Sequence, residues 1–373
     1  MIAHAAPPPP VVAAPAVSFG RIAVRLGPGT SRVEVQADGR ITHRRRVPAG
    51  PRRMSVPVPA GARAVRVRAT GRGGSRWSAT VRVRVLPPSA RRAGRVPGFV
   101  DRRLQRDVDG LVARLPAIAG VYAQHLVTGC GAARNADARF PAASTLKAAI
   151  LVDAVRRGRA RELRGLLDRM VIDSDDRAAN RVLAALGGGS GEAGAAGVTD
   201  TLRRLGLGRS LVRRPYIVED ARHPLPVTVE AAPALLTNFV TTPYELARLM
   251  VAVHRGAVGR GGVARLGIGA AAARAELLAR LLDVRDATKL RAGLPDAVPV
   301  AHKSGYTREV KHDGGIVYLR SGPVAVAVMT WSARGVTDAA GDGLIAEVAR
   351  AARHRLGPGG RCDGLPLARP RGR

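Results

Sequence analysis

From Val17 to Val85 apolar and polar residues alternate with a period of two. The short runs are Arg21-Ile-Ala-Val-Arg-Leu, Arg32-Val-Glu-Val-Gln, Met54-Ser-Val-Pro-Val, Ala64-Val-Arg-Val-Arg and Val81-Arg-Val-Arg-Val. Turn signals such as Gly27-Pro28-Gly29 and Asp38-Gly39 bound them, which predicts strands joined by turns. Residues 17–87 therefore fit a small all-β sandwich, immunoglobulin-like in general architecture. Residues 1–16 are Pro/Ala-rich and predict an extended segment, and 88–98 form a Pro/Arg/Gly linker, so a domain boundary is expected near residue 90.

Beyond the linker the period changes. Leu104, Val108, Leu111, Val112 and Leu115 lie at helical spacing, so 99–115 predicts an amphipathic helix. Val121 to Val127 predicts a strand, Thr128-Gly-Cys-Gly131 a turn and Ala132 to Arg139 a weaker return strand. Ala142 to Val155, with Leu146, Ile150, Leu151 and Val155, predicts a helix led in by Pro141. Further helices are expected to about residue 187, then a Gly/Ala-rich loop, a helix over Thr199–Leu205 and an irregular stretch from Gly206 to Val240. Thr242 and Pro243 suit the cap and first position of another helix. Strands over Val300–Ser304, Gly314–Leu319 and Val324–Trp331, a final helix over Gly343–Leu356 and an Arg/Pro tail over 359–373 complete the chain. Helices set between two early and three late strands predict an α/β fold of the α+β type over 99–358, with a five-stranded antiparallel sheet.

Composition adds a charge problem and a compartment hint. The formal net charge of +33 favours anionic partners such as acidic cell-wall polymers, nucleic acid or anionic membrane surfaces. A bias of the whole sequence towards arginine and alanine accounts for that charge equally well. Aromatic residues make up 3%, which leaves few stacking platforms and disfavours nucleic acid. No run of 18 apolar residues is present, so no membrane span is expected. Cys130 and Cys362 are too few for a metal site, though one bridge is open to them. The first ten residues have neither a basic n-region nor an apolar h-region, so no export signal is visible, although the stretch resembles the region just downstream of a signal peptide.

The chemistry begins with lysine. Of 61 Lys+Arg only Lys147, Lys289, Lys303 and Lys311 are lysine, in a chain that otherwise uses arginine. Arginine is not deprotonated in proteins, so lysine is expected where a proton must leave. Lys147 follows Ser144 by three residues, which puts both on one helix face near its start, a pairing suited to a serine nucleophile and its base. Downstream come Ser174-Asp175-Asp176, then Asn180, and after a predicted strand Lys303-Ser304-Gly305.

Ser144/Lys147, Ser174/Asp175/Asp176 and Lys303/Ser304/Gly305, in that order, form the S-x-x-K, S-D-N, K-T-G series. Residues 99–356 thereby resemble the penicillin-recognising serine hydrolases, and class A β-lactamases most closely. Phe140-Pro141 before the serine, Ala178-Ala-Asn180 and Thr241-Thr-Pro243 add to the resemblance. It implies a β-lactamase/transpeptidase-like fold, a sheet flanked by helices with an inserted helical subdomain. It also implies that Ser144 attacks a carbonyl while its N–H and that of Tyr306 form an oxyanion hole. Lys147 would act as base, Ser174 as proton relay and Lys303 as the electrostatic anchor. Asp176, Ser304, Gly305, Tyr306 and either Lys311 or Arg308 would contact substrate, with Asp175 and Asn180 structural. A Cys130–Cys362 disulfide follows from the same resemblance, consistent with an extracellular or envelope protein.

The chain departs from that pattern at Asp176, a carboxylate where the series has an amide, and in the short spacing between the first two motifs. Residues 206–240 also lack the E-x-x-L-N segment whose glutamate drives deacylation, leaving Glu219, Asp220 or Glu230 as substitutes. The expected substrates are β-lactams or peptidoglycan peptides, with no metal or organic cofactor. The alternatives are a D-alanyl-D-alanine peptidase or other cell-wall amidohydrolase, and a catalytically weak peptidoglycan-binding protein.

Overall fold

The computed structural model describes residues 5–13, 15–48, 50–92, 97–216, 239–358, 360, 362 and 365–367. Its contacts divide the chain into two units, Met1–Arg91 and Arg92–Arg373. Among the described residues the first holds ten strands: β1 (Val11–Val12), β2 (Val17–Phe19), β3 (Arg21–Leu26), β4 (Arg32–Ala37), β5 (Arg40–Arg46), β6 (Arg52–Pro57), β7 (Ala64–Gly71), β8 (Gly74–Trp77), β9 (Val81–Arg82) and β10 (Arg84–Leu86). They pair as β1-β3-β6, as β10-β2, and as β5-β4-β7-β8 with β9 beside β7. The period-two residues Ile22, Val24, Leu26, Val33, Val35, Val65 and Val67 all turn into one core, as a β-sandwich requires. Strand β5, Arg-Ile-Thr-His-Arg-Arg-Arg, has no such alternation and is exposed nearly throughout. It is an edge strand held by its ladder to β4, which is why the hydrophobic pattern gives no sign of it.

The second unit is built on a six-stranded sheet in the order β11-β13-β12-β19-β18-β17. These are β11 (Phe99–Val100), β12 (Ile118–His125), β13 (Cys130–Arg134), β17 (Val300–Tyr306), β18 (Lys311–Tyr318) and β19 (Pro323–Trp331). Five run antiparallel, as the sequence predicts, and the short β11 adds a parallel edge on β13. Helices α1 (Arg102–Ala113), α2 (Lys147–Arg156), α3 (Arg164–Ile172), α4 (Asp176–Leu186), α5 (Gly191–Arg204) and α6 (Pro243–Ala257) follow in chain order. Then come α7 (Ala270–Ala272), a π turn over Ala273–Leu278, α8 (Ala279–Leu282) and α9 (Asp338–Leu356). Helices α1 and α9 bury Leu104, Val108, Ile345 and Val348 against Val121, Val326 and Val328 on one sheet face. Helix α6 packs on the other, where Gly314 faces Leu246. Cys130, at the start of β13, is joined to Cys362 beyond α9 with Cα atoms 5.1 Å apart.

Other segments also differ from the sequence expectation, each for a local reason. Ala143 has φ +46°, which breaks a continuous helix from Ala142, and a 3-10 turn over Ala143–Leu146 precedes α2. From Gly191 on, the Gly/Ala-rich stretch is helix rather than loop. Ser190 caps α5 by accepting from the Ala193 N–H, and a Cβ at Gly194 would lie 2.0 Å from the Leu183 carbonyl, so these small residues let α5 lie close against α4. The return strand ends at Arg134, where Asn135 turns at φ +47°, and Phe140–Pro141 instead forms β14. This pairs with β16 (Phe239–Thr241), which in turn pairs with β15 (Leu211–Val212).

Candidate active site

Ser144 is held by the residues beneath and before it. The Ala142 N–H donates to Phe239 O at 2.9 Å, tying the lead-in to β16. Below it His312, fully buried, lies 2.7 Å through Nε2 from Pro141 O, and Thr330 N–H donates to its Nδ1 at 3.1 Å. Nδ1 also lies 2.8 Å from Lys311 O, and burial lowers the His312 pKa to about 4. Ser144 thus enters a 3-10 turn whose first N–H groups have no partner within the turn. Across from it runs the end of β17, where a Cβ on Gly305 would stand 2.8 Å from Ser144 N and 3.0 Å from Thr145 N. Only glycine admits this approach, which brings the Ser144 amide up to the strand that carries Tyr306.

Lys147 opens α2 one turn after the serine and has no exposed surface. Its Nζ donates to Ser144 Oγ at 2.9 Å, to Asp176 Oδ1 at 2.5 Å, to the Ser174 carbonyl and, at 3.4 Å, to Ser174 Oγ. Burial pushes its pKa down, and the Asp176 carboxylate resists that shift without cancelling it. Lys303, also fully buried, donates to Ser174 Oγ at 3.0 Å and to Ser304 O at 2.9 Å. Burial and the neighbouring Lys147 lower its pKa to about 7. Next to Ser144, the Ser174 hydroxyl is therefore shared between two buried lysine side chains. Its backbone is left-handed, φ +61°, and with Ala143 it makes two non-glycine residues of this strained kind at one site.

The loop that presents Ser174 is fixed by its neighbours. Asp175 caps α4, its carboxylate accepting from Ala178 N–H at 2.9 Å, which stabilises the helix start by about 1 kcal/mol. Asp176, at the first helical position, points back to Lys147. Asn180, one turn on, grips Tyr216 twice: Nδ2 donates to Tyr216 O at 2.8 Å and Oδ1 accepts from Tyr216 N–H at 2.6 Å. The Tyr216 ring then lies 4.7 Å from Lys147 Nζ, stacks on Phe239 with centroids 4.0 Å apart, and donates its hydroxyl to Ala143 O at 3.3 Å. Burial and the Asp176 charge hold this phenol neutral, well above its ordinary pKa.

On the far side of β17 the Ser304 hydroxyl bonds Asp286. Burial opposes ionisation there, yet this bond and that from Lys289, 2.9 Å away, hold the Asp286 carboxyl below the usual range. Lys289 Nζ also lies 3.3 Å from Asp342 and 5.3 Å from the Tyr306 ring centre. Lys311 Nζ is 5.4 Å from the same ring and pairs with Asp338. Tyr306 itself is 61% exposed. Arg308 is exposed and its Nε donates to Glu309 at 3.0 Å. Next to Lys303 on the strand, His302 pairs through Nδ1 with the buried Asp313 at 2.9 Å.

The structure thus brings Ser144, Lys147, Ser174, Asp176 and Lys303 together in direct contact, with Gly305 against the serine amide. Ser304, Tyr306 and Lys311 belong to an adjoining polar network, while Arg308 engages Glu309. Glu219, Asp220 and Glu230 lie outside the described residues. The sequence patterns gave no role to Tyr216, His312, Asp286 or Lys289. Only Lys289 had a signal, its scarcity: all four lysines of the chain stand in this one connected region. A hydroxyl against a buried amine, a second amine on a shared serine and a cramped amide are what acyl transfer at a carbonyl needs.

A profile described as the β-lactamase enzyme family matches residues 103–165 and 153–356. A search of curated proteins returns no match. Among solved structures, PBP-A is similar over 69% of this chain and 97% of its own, with 26% identity and a TM-score of 0.55. A PBP-A variant solved as its acyl-enzyme with penicillin G gives 25% identity over 69% of this chain and 98% of its own, with a TM-score of 0.56. The β-lactamase from Streptomyces albus G matches 68% of this chain and 99% of its own at 24% identity and TM-score 0.54, a likeness of fold.

Proposed function

We propose, for a chain that belongs to the β-lactamase enzyme family, that Ser144 is acylated by β-lactams and by peptidoglycan peptides carrying a related amide. The observation that carries this is the contact of Lys147 Nζ with Ser144 Oγ at 2.9 Å inside a fully buried amine site. Lys147, once deprotonated, takes the serine proton as Oγ attacks the carbonyl carbon. The carbonyl oxygen, now an oxyanion, is received by the Ser144 and Tyr306 N–H groups, whose spacing Gly305 sets. The proton passes through the Ser174 hydroxyl to the leaving nitrogen, and the C–N bond breaks. Lys303 holds Ser174 and supplies positive charge for a substrate carboxylate, with Lys289, Ser304 and Lys311 beside it. That a PBP-A variant, at 25% identity, has been trapped as an acyl-enzyme with penicillin G supports this chemistry.

Release of the acyl group is the slower half of the cycle in this reading. The segment 206–240 carries no E-x-x-L-N sequence, and Glu219 is the candidate base in its place. The enzyme accordingly sits nearer to a penicillin-binding peptidase than to a fast β-lactamase, and its place of action is outside the cytoplasm, where disulfides such as Cys130–Cys362 persist. A chromogenic cephalosporin tests it. The expected result is a burst of colour equal to one equivalent of enzyme followed by slow turnover. Fast turnover with no burst would assign a β-lactamase with a competent base, and no colour at all would refute acylation by this class.

A further inference from the structure

We propose that the outward face of the β5-β4-β7-β8 sheet binds an anionic, phosphate-bearing polymer of the cell wall. Seventeen arginines stand against only Glu34 and Asp38 in Met1–Arg91, so +15 of the +33 charge falls on 91 of 373 residues. A bias shared by the whole chain raises arginine in both units, but it does not empty one of acids. The second unit keeps twenty-six carboxylates.

The register gathers much of this charge on one face. Arg46 lies opposite Arg32, Arg44 opposite Glu34, Glu34 opposite Arg68, and Gln36 opposite Arg66, while Val33, Val35, Val65 and Val67 alternate with them into the core. Five arginines thus share the face with one acid, and that acid is already covered. Glu34 pairs with Arg44 at 2.9 Å and with Arg68. Protection of an exposed edge explains cations on β5. It does not explain Arg32, Arg66 and Arg68, which lie on the interior strands β4 and β7.

These side chains are also held in place. Arg66 Nε donates to Gln36 Oε1 at 2.5 Å, and the guanidinium carbons of Arg66 and Arg68 stand 4.4 and 5.1 Å from the Trp77 ring centre. Preordered guanidinium groups lose less freedom when an anion arrives. Sheet geometry sets them roughly 5 Å apart across strands and roughly 7 Å apart along them. A flexible chain with one phosphate every few backbone bonds can follow such a lattice. Trp77 is the one aromatic ring that Arg66 and Arg68 engage, and a single ring is a sparse platform for stacking successive bases, which separates this surface from a single-strand nucleic-acid platform. The choice of a wall polymer as source rests on the reading of the serine site. The face itself does not.

The test uses the full chain carrying Ser144→Ala, titrated with poly(glycerol phosphate) over a range of salt, and compared with a single-stranded oligodeoxynucleotide of equal phosphate number. Replacing Arg32, Arg46 and Arg66 by Gln spares the two partners of Glu34. It should weaken binding at least tenfold and lower the slope of log K against log salt by about 2, at roughly 0.7 per cation lost. Arg46→Gln alone, on the edge strand, should lower it by about 0.7. Gln at Arg204, Arg320 and Arg353 removes the same charge from the second unit and should leave affinity within twofold. Equal losses in the two triple variants, no binding by the full chain, or tighter binding to the oligonucleotide would overturn the proposal. Acylation of Ser144 in the otherwise matching triple variants is read separately, so failure of either claim leaves the other measurable.

Discussion

The Asp176 carboxylate accepts a hydrogen bond from the Lys147 ammonium at 2.5 Å, while the same Nζ reaches Ser144 Oγ at 2.9 Å. In the proposed mechanism an acid therefore competes with Ser144 for Lys147. Asp176 stabilises the protonated amine, whereas proton abstraction from Ser144 needs the neutral one.

Asp176→Asn should accordingly speed acylation. With the Asp176 carboxylate gone, burial is opposed only by the charge of Asp175, and more of Lys147 is neutral near pH 7. Because the Asp176 side chain is 43% exposed, the gain is expected to be roughly three- to tenfold rather than several decades. The acid limb of the pH–acylation profile should move to lower pH. Stopped-flow acylation by a chromogenic cephalosporin measures both, and a fall in rate would mean that Asp176 acts directly on the substrate or as a base.

Ser174→Ala removes the hydroxyl that Lys303 holds at 3.0 Å and Lys147 approaches at 3.4 Å. Loss of a proton relay of this kind costs about 10²-fold or more in the acylation rate. Substrate binding, read from the concentration dependence of the same traces, should change little. A matching loss in binding would assign Ser174 to recognition instead.

Gly305→Ala places a methyl group 2.8 Å from the Ser144 nitrogen. Either β17 or the serine turn must shift, and the proposed oxyanion site opens. Acylation should fall about 10²- to 10³-fold, the range for removing one oxyanion donor. Melting temperature is a control, since β17 is otherwise held by its ladder to β18. Unchanged acylation would dismiss the Ser144–Tyr306 amide pair.

Lys303 titrates at about 7, where burial and Lys147 have pushed it. Its charge is therefore lost as pH rises through neutrality, and acylation by substrates bearing a carboxylate should decline above about pH 7. Lys303→Arg stays charged throughout this range, so the decline should disappear even if the overall rate is lower. A decline that persists in that variant would place the titrating group elsewhere.

Stability carries its own pH signature. His125 and His312 are both lowered to about 4 from an ordinary 6.5, His125 by burial and His312 by burial that outweighs its backbone hydrogen bonds. The unfolded chain takes up protons near pH 6.5 that the folded chain refuses, so the contribution is complete above about 6.5. It is lost as pH falls towards 4. Urea melts between pH 7 and 4 should show declining stability, and His312→Gln should flatten part of that slope. An equal slope in the variant would exclude His312 as a source.

The reach of the sequence differed from element to element. Motif residues were legible because acyl transfer demands particular side chains at fixed local spacing, and Ser144 with Lys147, Asp175 with its helix cap, and Lys303 with Gly305 are all short-range relations. Strands such as β3 and β7 were legible from alternation, and β19 from an apolar run buried almost throughout. The rest depends on contacts between distant segments. Tyr216 reaches the site only because Asn180 holds its backbone, and His312 supports Pro141 across 171 residues. The Gly/Ala-rich segment reads as loop until α4 is present for Gly194 to pack against. The break in the predicted helix before Ser144 comes from the positive φ of Ala143, which alanine's helix preference opposes.

The central claim is a covalent bond at Ser144, and intact-protein mass spectrometry after brief incubation with penicillin G measures it directly. The account predicts an added mass of one opened β-lactam, mapped by peptide digestion to the segment holding Ser144. Ser144→Ala should show none, and Lys147→Ala should form it at least a hundredfold more slowly. An unmodified native protein, or an adduct that survives in Ser144→Ala, would contradict it.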